Sequence, residues 1–425
     1  MNISSEIRNL VINRRKGYTL PASFYLSSEI NELDISEIFG KHWIYVAIEP
    51  DIAEAGDYIK VDIGHNSVII VRDDDMSIKA FHNVCRHRGS QLCDAPKGSV
   101  GNIVCPYHQW TYDLSGKLIY NEHMGDDFDK SQHNLKPVHV GNIAGLIFIC
   151  LSDNPPTDFA DMKQAMEPYI APHRIADCKV AIQEDIIENG NWKLTMENNR
   201  ECYHCVANHP ELLASMYEYG FGYQPSPENA EKVQEFRDLI VSENNRWASC
   251  GLPSEEIDLL DSRATAYRTQ RLPLEKAGES QTMDGKVACK KLLGDLTLRN
   301  LGGLSFWTQP NSWHHFMSDH IVTIYIMPID AEHTHVSTKW LVHKDAVEGV
   351  DYNIKRMCEV WRATNKQDSN LVERTQRGVK SDQYRPGPYS PYTEELVEKF
   401  TNWYIQRLEA AMENSAAVIP IKTYK

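Results

Sequence analysis

Cys85-Arg86-His87 and, after seventeen intervening residues, Cys105-Pro106-Tyr107-His108 are the two stretches that decide how the first part of this chain folds. Each offers one thiolate and one imidazole on a tight loop, and Gly89 and Pro106 supply turn geometry beside them. Around them lie short apolar, β-branched runs, Tyr58-Ile-Lys-Val, Ser67-Val-Ile-Ile-Val and Ile78-Lys-Ala-Phe, separated by Gly64-His65-Asn66 and Asp73-Asp74-Asp75. Trp110–Asp113 and Lys117–Tyr120 flank Leu114-Ser115-Gly116, a hairpin signal, and Ala144–Leu151 is a continuous apolar strand. Two loops set between strands can face each other as hairpin tips, bringing the four donors together. A [2Fe–2S] cluster with two thiolates on one iron and two imidazoles on the other needs such a set. Cys85 and Cys105 are therefore expected on one iron, and His87 and His108 on the other. A structural zinc site is the competing reading, but zinc-finger spacing places both cysteines in one half and both histidines in the other. Here each half is mixed, which is the order that such a cluster needs.

Working outward, the chain has 425 residues, room for two domains. Its 42% hydrophobic and 24% charged residues are ordinary for a globular protein. No apolar run is long enough to span a membrane and the N-terminus lacks a signal-peptide core, so a cytoplasmic location is expected. A net charge of −15 argues against nucleic acid and fits a cationic small molecule. The ten cysteines are read mostly as buried thiols. The fold class is α+β. Residues 1–44 form an N-terminal segment expected to pack on the C-terminal domain. Residues 45–155 form the all-β cluster domain, which ends at the linker Ser152–Pro156, and residues 156–425 mix helix with antiparallel strands. Lys179–Glu188, Ser305–Thr308, Ile321–Met327 and Thr334–Val342 read as strands, and Trp192–Asn208 and Asp351–Val379 as helices. Ser390 and Pro391 read as the cap and first residue of a last helix.

The second constellation lies on the helix after Trp192: Glu201-Cys-Tyr-His204, then His209-Pro210. An oxygen-activating non-haem iron takes two histidines and one carboxylate and keeps positions open. Histidines five apart stand about 140° apart on a regular helix, so the helix must distort or end between them, as Pro210 favours. Asp368 on the later helix is the expected third ligand, with Glu373 as the alternative. Glu201, three residues before His204, is placed to accept the imidazole's second N–H. Cys202 and Cys205 are read as packed thiols. No GxGxxG follows a strand, so no nicotinamide site is expected on this chain.

With both constellations in place, the chain resembles the Rieske ring-hydroxylating oxygenase α subunits from about residue 35 to 410. Within them it is most similar to the branch acting on quaternary ammonium compounds. The likeness is carried by His82-Asn-Val-Cys-Arg-His-Arg-Gly-Ser90, Glu197-Asn-Asn-Arg-Glu-Cys-Tyr-His-Cys205, Thr338-Lys-Trp-Leu-Val-His-Lys-Asp-Ala-Val-Glu-Gly-Val-Asp-Tyr352 and Pro386-Gly-Pro-Tyr-Ser390. Residues 215–300 depart from it and read as a polar insertion. The resemblance implies a helix-grip catalytic domain and a head-to-tail homotrimer. Electrons would pass from His108 of one subunit through Glu201 to His204 of the next, and NAD(P)H would act through a separate flavin and iron–sulfur reductase. It also implies hydroxylation of an N-methyl group, glycine betaine giving dimethylglycine and formaldehyde. Stachydrine, carnitine or choline-type demethylation, or aromatic-ring dihydroxylation, are the alternatives. A trimethylammonium group has no hydrogen-bond donor and is best held by aromatic faces. The candidates are Tyr203, Phe221, Tyr223, Trp307 and Trp313, while Trp192 and Trp340 read as core.

Overall fold

The computed structural model describes residues 3–417. The cluster domain is all β, as its alternating runs require. A four-stranded antiparallel sheet runs in the order Ile78–His82, Asn66–Arg72, Asp57–Ile63, Lys97–Ser99. Two three-stranded sheets flank it, one of Ile103–Val104, Thr111–Tyr112 and Leu118–Tyr120, the other of Ile44–Ile48, Leu146–Cys150 and His139–Ile143. The strand Asn66–Arg72 explains how one domain serves two cores. Side chains alternate faces along a strand, so Val68 and Ile70 join the large core shared with the catalytic domain. Ile69 and Val71 instead join the small core holding Cys85, Cys105, Trp110 and Tyr112.

The catalytic domain is a seven-stranded antiparallel sheet in the order Cys178–Glu188, Thr334–His343, Ile321–Pro328, Ser312–Phe316, Gly303–Thr308, Tyr267–Leu272, Ile257–Asp258. The supposed insertion is therefore partly sheet: Ile257–Asp258 and Tyr267–Leu272 extend the edge, and Ala230–Ser249 is a helix. Helix Ile354–Val379 packs against the sheet through Met357, Val360, Trp361, Thr364, Val372 and Val379, a stripe at helical spacing. The last helix begins at Glu395, later than Ser390 and Pro391 suggest. The Ser390 N–H donates to Glu394 Oε2 at 2.6 Å, and Tyr392 and Thr393 are spent on the wall of a cavity described below. Trp192 and Trp340 are fully buried, as expected.

Two polar clamps join the parts. Tyr45 N–H donates to Asn311 Oδ1 at 3.1 Å, and Asn311 Nδ2 donates back to the Tyr45 carbonyl at 2.9 Å, tying the cluster domain to the catalytic sheet. In the N-terminal segment, Asp34 is fully buried and accepts from Trp192 Nε1 (2.9 Å), Tyr404 Oη (2.6 Å) and Lys193 Nζ. Removing one partner of a buried pair strands the other charge, at a cost of about 3–5 kcal/mol. Asp34→Ala is therefore expected to lose about that much stability in urea unfolding. Lys193→Met added to it should recover part of the loss, and strictly additive losses would show that the two charges do not act as a pair.

Candidate functional site

Two loops of matching geometry present the first donor set. The Cys85 N–H donates to the Ser90 carbonyl at 2.8 Å and the Gly89 N–H to the Cys85 carbonyl at 3.0 Å. The second loop repeats this, Cys105 to Trp110 at 2.8 Å and Gln109 to Cys105 at 3.1 Å. In both, the residue four after the cysteine is left-handed, Gly89 at φ +77° and Gln109 at φ +57°. Both cysteines are buried. The His87 and His108 rings lie 4.7 Å apart, His87 stacks on Trp110 at 4.8 Å, and Tyr107 stacks on His108 at 3.9 Å. His87 Nδ1 is buried without a hydrogen-bond partner. Such an orphan calls for an occupant, and a metal ion would satisfy it. The Tyr112 hydroxyl, 3.5 Å from Cys85 Sγ, adds polar support to that thiol.

The second donor set forms because the chain breaks where the sequence needs it to. The helix expected over Trp192–Asn208 is two helices, Trp192–Asn199 and Cys205–Asn208, with a turn between. The chain is interrupted once before His204, and the second helix ends at Asn208, between the two histidines, as their spacing requires. His209 sits just past the second helix at φ −122°, ψ 63°, outside the helical region as its following proline demands. His204 Nε2 and His209 Nε2 are 3.0 Å apart, and Asp368 Oδ1 lies 3.3 Å from the first and 2.9 Å from the second. Three donors about 2.1 Å from one ion at right angles stand about 3 Å apart, so the spacing fits a shared metal.

Tautomers make that fit compelling. Glu201 Oε1 bonds His204 Nδ1, and its Oε2 accepts from the backbone N–H of Tyr203 and of His204 (3.3 Å to the latter). Gln367 Nε2 donates to Glu211 Oε2 at 2.8 Å, which turns Gln367 Oε1 toward His209 Nδ1 at 2.8 Å. An amide oxygen only accepts, so His209 Nδ1 carries the hydrogen. Both Nε2 atoms then present lone pairs to a carboxylate oxygen, an arrangement that needs a cation at its centre. Without a metal the cation is a proton. Burial pushes His204 down, but Asp368 and Glu201 outweigh it and raise its pKa to about 9. Glu373, the alternative ligand, instead accepts from Asn189 at 2.9 Å.

Cys202 and Cys205 are not the separate packed thiols expected. The turn between the helices brings their Cα atoms to 4.9 Å and they form a disulfide. Cys205 Sγ lies near both imidazoles, but bonded to Cys202 it is no free thiolate donor.

A cavity of about 270 Å³ opens onto His204, His209 and Asp368. Of the five aromatic candidates, Phe221 and Trp307 line it. Tyr203 is 67% exposed on the surface, Trp313 is buried in the core, and Tyr223 bonds Arg237 at 2.8 Å away from the cavity. Sequence reasoning passed over Trp361 and His315, stacked at 4.2 Å in the cavity wall. Trp361 is seven residues before Asp368, two helical turns on the same face, which was the available signal. The Trp361 Nε1–H donates to Gln281 at 2.9 Å, and burial pushes His315 down to about 3, leaving it neutral. Among the described residues no helix is long and apolar enough to cross a membrane.

Residues 42–137 match the Rieske [2Fe-2S] domain, and residues 175–410 match the ring hydroxylating alpha subunit (catalytic domain). The chain is 43% identical over 401 residues to the glycine betaine monooxygenase oxygenase subunit of Pseudomonas aeruginosa (strain UCBPP-PA14), covering 94% of this chain and 91% of the relative. The protein of the same description from Chromohalobacter salexigens is 42% identical, covering 97% and 91%. A solved quaternary ammonium Rieske monooxygenase, described as giving insights into carnitine oxidation and inter-subunit electron transfer, superposes with a TM-score of 0.68 at 25% identity over 94% of this chain and 98% of its own. These matches, with the α+β fold and the two donor sets in agreement, show that the chain belongs to the Rieske ring-hydroxylating oxygenase α-subunit family.

Proposed function

We propose that this chain is the oxygenase component of a monooxygenase that removes an N-methyl group from a small quaternary ammonium compound, glycine betaine foremost. The observation that carries the reading is the convergence of His204, His209 and Asp368 on a small cavity in a chain 43% identical to glycine betaine oxygenase subunits. Cys85 and Cys105 would hold one iron of the cluster and His87 and His108 the other, while His204, His209 and Asp368 hold the mononuclear iron. When bound, the cluster supplies single electrons and the mononuclear iron supplies dioxygen activation. The overall change balances as a trimethylammonium, O₂, two electrons and two protons giving a protonated dimethylamine, formaldehyde and water.

The chain's own residues do the arranging. Glu201 and Gln367 hold the two imidazoles by Nδ1 so that each offers Nε2. Trp361, stacked on neutral His315, and Phe221 give the cavity apolar faces for a cation that cannot accept or donate a hydrogen bond. The substrate gains nothing by bringing its own water into such a site.

The quaternary arrangement is also proposed as a homotrimer in the cytoplasm, served by a flavin and iron–sulfur reductase that takes electrons from NAD(P)H. Exposed apolar side chains support it at both ends of the expected transfer. Val84, Val104 and Tyr107 surround the cluster loops, and Tyr203 and Val206, 67% and 62% exposed, flank Glu201 and His204. Patches of this kind mark protein contacts. Docked together, they would set an exposed His108 against Glu201 of a neighbouring copy.

Four outcomes are expected. Supplied with reductase, NADH and a panel of glycine betaine, stachydrine, carnitine, choline and an aromatic acid, the enzyme should release formaldehyde from a quaternary ammonium compound. A cis-diol from the aromatic acid alone would overturn the reading. His209→Ala should keep the rhombic EPR signal of the reduced cluster and lose turnover, whereas Glu201→Gln should keep both metals and slow cluster oxidation in single turnover by about 10–100-fold. Gln367→Leu should weaken iron retention against a chelator by about 10–100-fold, with Gln367→Glu recovering part of it. Equal loss in both variants would mean that Gln367 only fills space.

A further inference from the structure

Trp307 lines the cavity but is poorly suited to hold an ammonium group, because two cations already face its ring. The Arg200 guanidinium lies 5.1 Å from the ring centroid and that of Arg268 lies 5.3 Å away. Arg200 is fully buried. Its Nη atoms donate to the Thr308 carbonyl at 3.0 Å, Gln309 Oε1 at 3.2 Å, the Ser312 carbonyl at 3.5 Å and Asn199 Oδ1, all of them neutral acceptors. Arg268 is better compensated, donating to Glu256 at 2.6 Å and Gln270 at 2.8 Å. Asp258 is 3.9 Å from Arg268 Nε and is itself engaged by Lys399 at 2.9 Å. The local account thus leaves the Arg200 charge without a carboxylate. Burial, then the Arg268 charge, push Arg200 down to about 9.

Three donors around this indole have no hydrogen-bond partner: Arg200 Nε, Arg268 Nε and Trp307 Nε1. Buried N–H groups are rarely left unpaired, and a buried cation without a counter-charge is expensive. Arg200, Arg268 and Trp307 line the same cavity as His204, His209 and Asp368. Its lining therefore carries a carboxylate ligand, Asp368, and a guanidinium without a carboxylate partner, Arg200.

Building on the demethylase reading, we infer that Trp307, Arg268 and Arg200 form a carboxylate seat, so that the substrate is a zwitterion lying with its carboxylate on this cluster and its N-methyl groups toward His204, His209 and Asp368. The seat selects betaines over quaternary ammonium alcohols, and it assigns Trp307 to the anionic end of the substrate.

The test measures binding by calorimetry to the two-metal oxygenase, using glycine betaine, its methyl ester and choline. The wild-type protein should bind glycine betaine at least about tenfold more tightly than either carboxylate-free compound, the loss expected when a charge-assisted hydrogen bond is removed. Trp307→Phe keeps the ring and deletes only the N–H. It should cost glycine betaine several-fold in affinity and leave choline binding within about twofold. Arg268→Gln should act in the same direction. Equal wild-type affinity for the acid and its ester, or equal losses for all three ligands in Trp307→Phe, would overturn the seat. Formaldehyde release, followed separately, reports on the demethylase reading: a carboxylate preference without any formaldehyde would leave the seat standing and remove that reading.

Discussion

The catalytic half of this protein is organised around three lone pairs forced together. His204 Nε2, His209 Nε2 and Asp368 Oδ1 stand 2.9 to 3.3 Å from one another, each aimed at the same small volume. Left alone they repel, and a cation turns that repulsion into binding. The surrounding structure keeps the repulsion from relaxing. A broken helix separates the two histidines from the regular path, proline fixes the exit from His209, and a long packed helix holds Asp368 beside its buried stripe. Glu201 and Gln367 complete the constraint by occupying the other nitrogen of each ring. Fixing a ligand's far side in this way sets both its tautomer and its direction.

The cluster half solves a related problem by repetition. Two loops with the same hydrogen bonds, each turning at a left-handed residue four positions after its cysteine, bring mixed donors face to face. The strand Asn66–Arg72 serves both halves, since its alternate side chains belong to different cores. The clamp between Tyr45 and Asn311 and the buried Asp34–Lys193 pair extend the attachment to the rest of the chain. Each donor set is thus tied to a packed core, as distances to a shared ion require.

What the sequence made legible was whatever is encoded locally or by strong ligand chemistry. Cys85, His87, Cys105 and His108 declare themselves by order and spacing. His204 and His209 are marked by the proline that follows, and Asp368 by offering a carboxylate on the later helix. What stayed hidden depends on distant partners. Nothing near Trp307 in the chain reveals that residues 200 and 268 bring cations to its ring. The Cys202–Cys205 bond needs the turn between two helices, which a continuous helical reading does not contain. The polar stretch after residue 215 reads as an insertion because its strands are short, yet it supplies Glu256, Asp258, Arg268 and Gln270 to the cavity wall.

That wall changes how the net charge of −15 bears on function. A global negative charge draws in cations, but a zwitterion carries no net charge and gains little from long-range steering through a screened solvent. Selection then has to be local. Inside the cavity, fields decay less than in water and the two ends of a short molecule can be read separately. Aromatic faces tolerate the methylated nitrogen without demanding a hydrogen bond, and orphaned N–H donors reward only a ligand that brings an acceptor. An alcohol in place of the carboxylate leaves the Arg200 charge unanswered, so discrimination comes from what the wrong ligand fails to satisfy more than from added attraction to the right one.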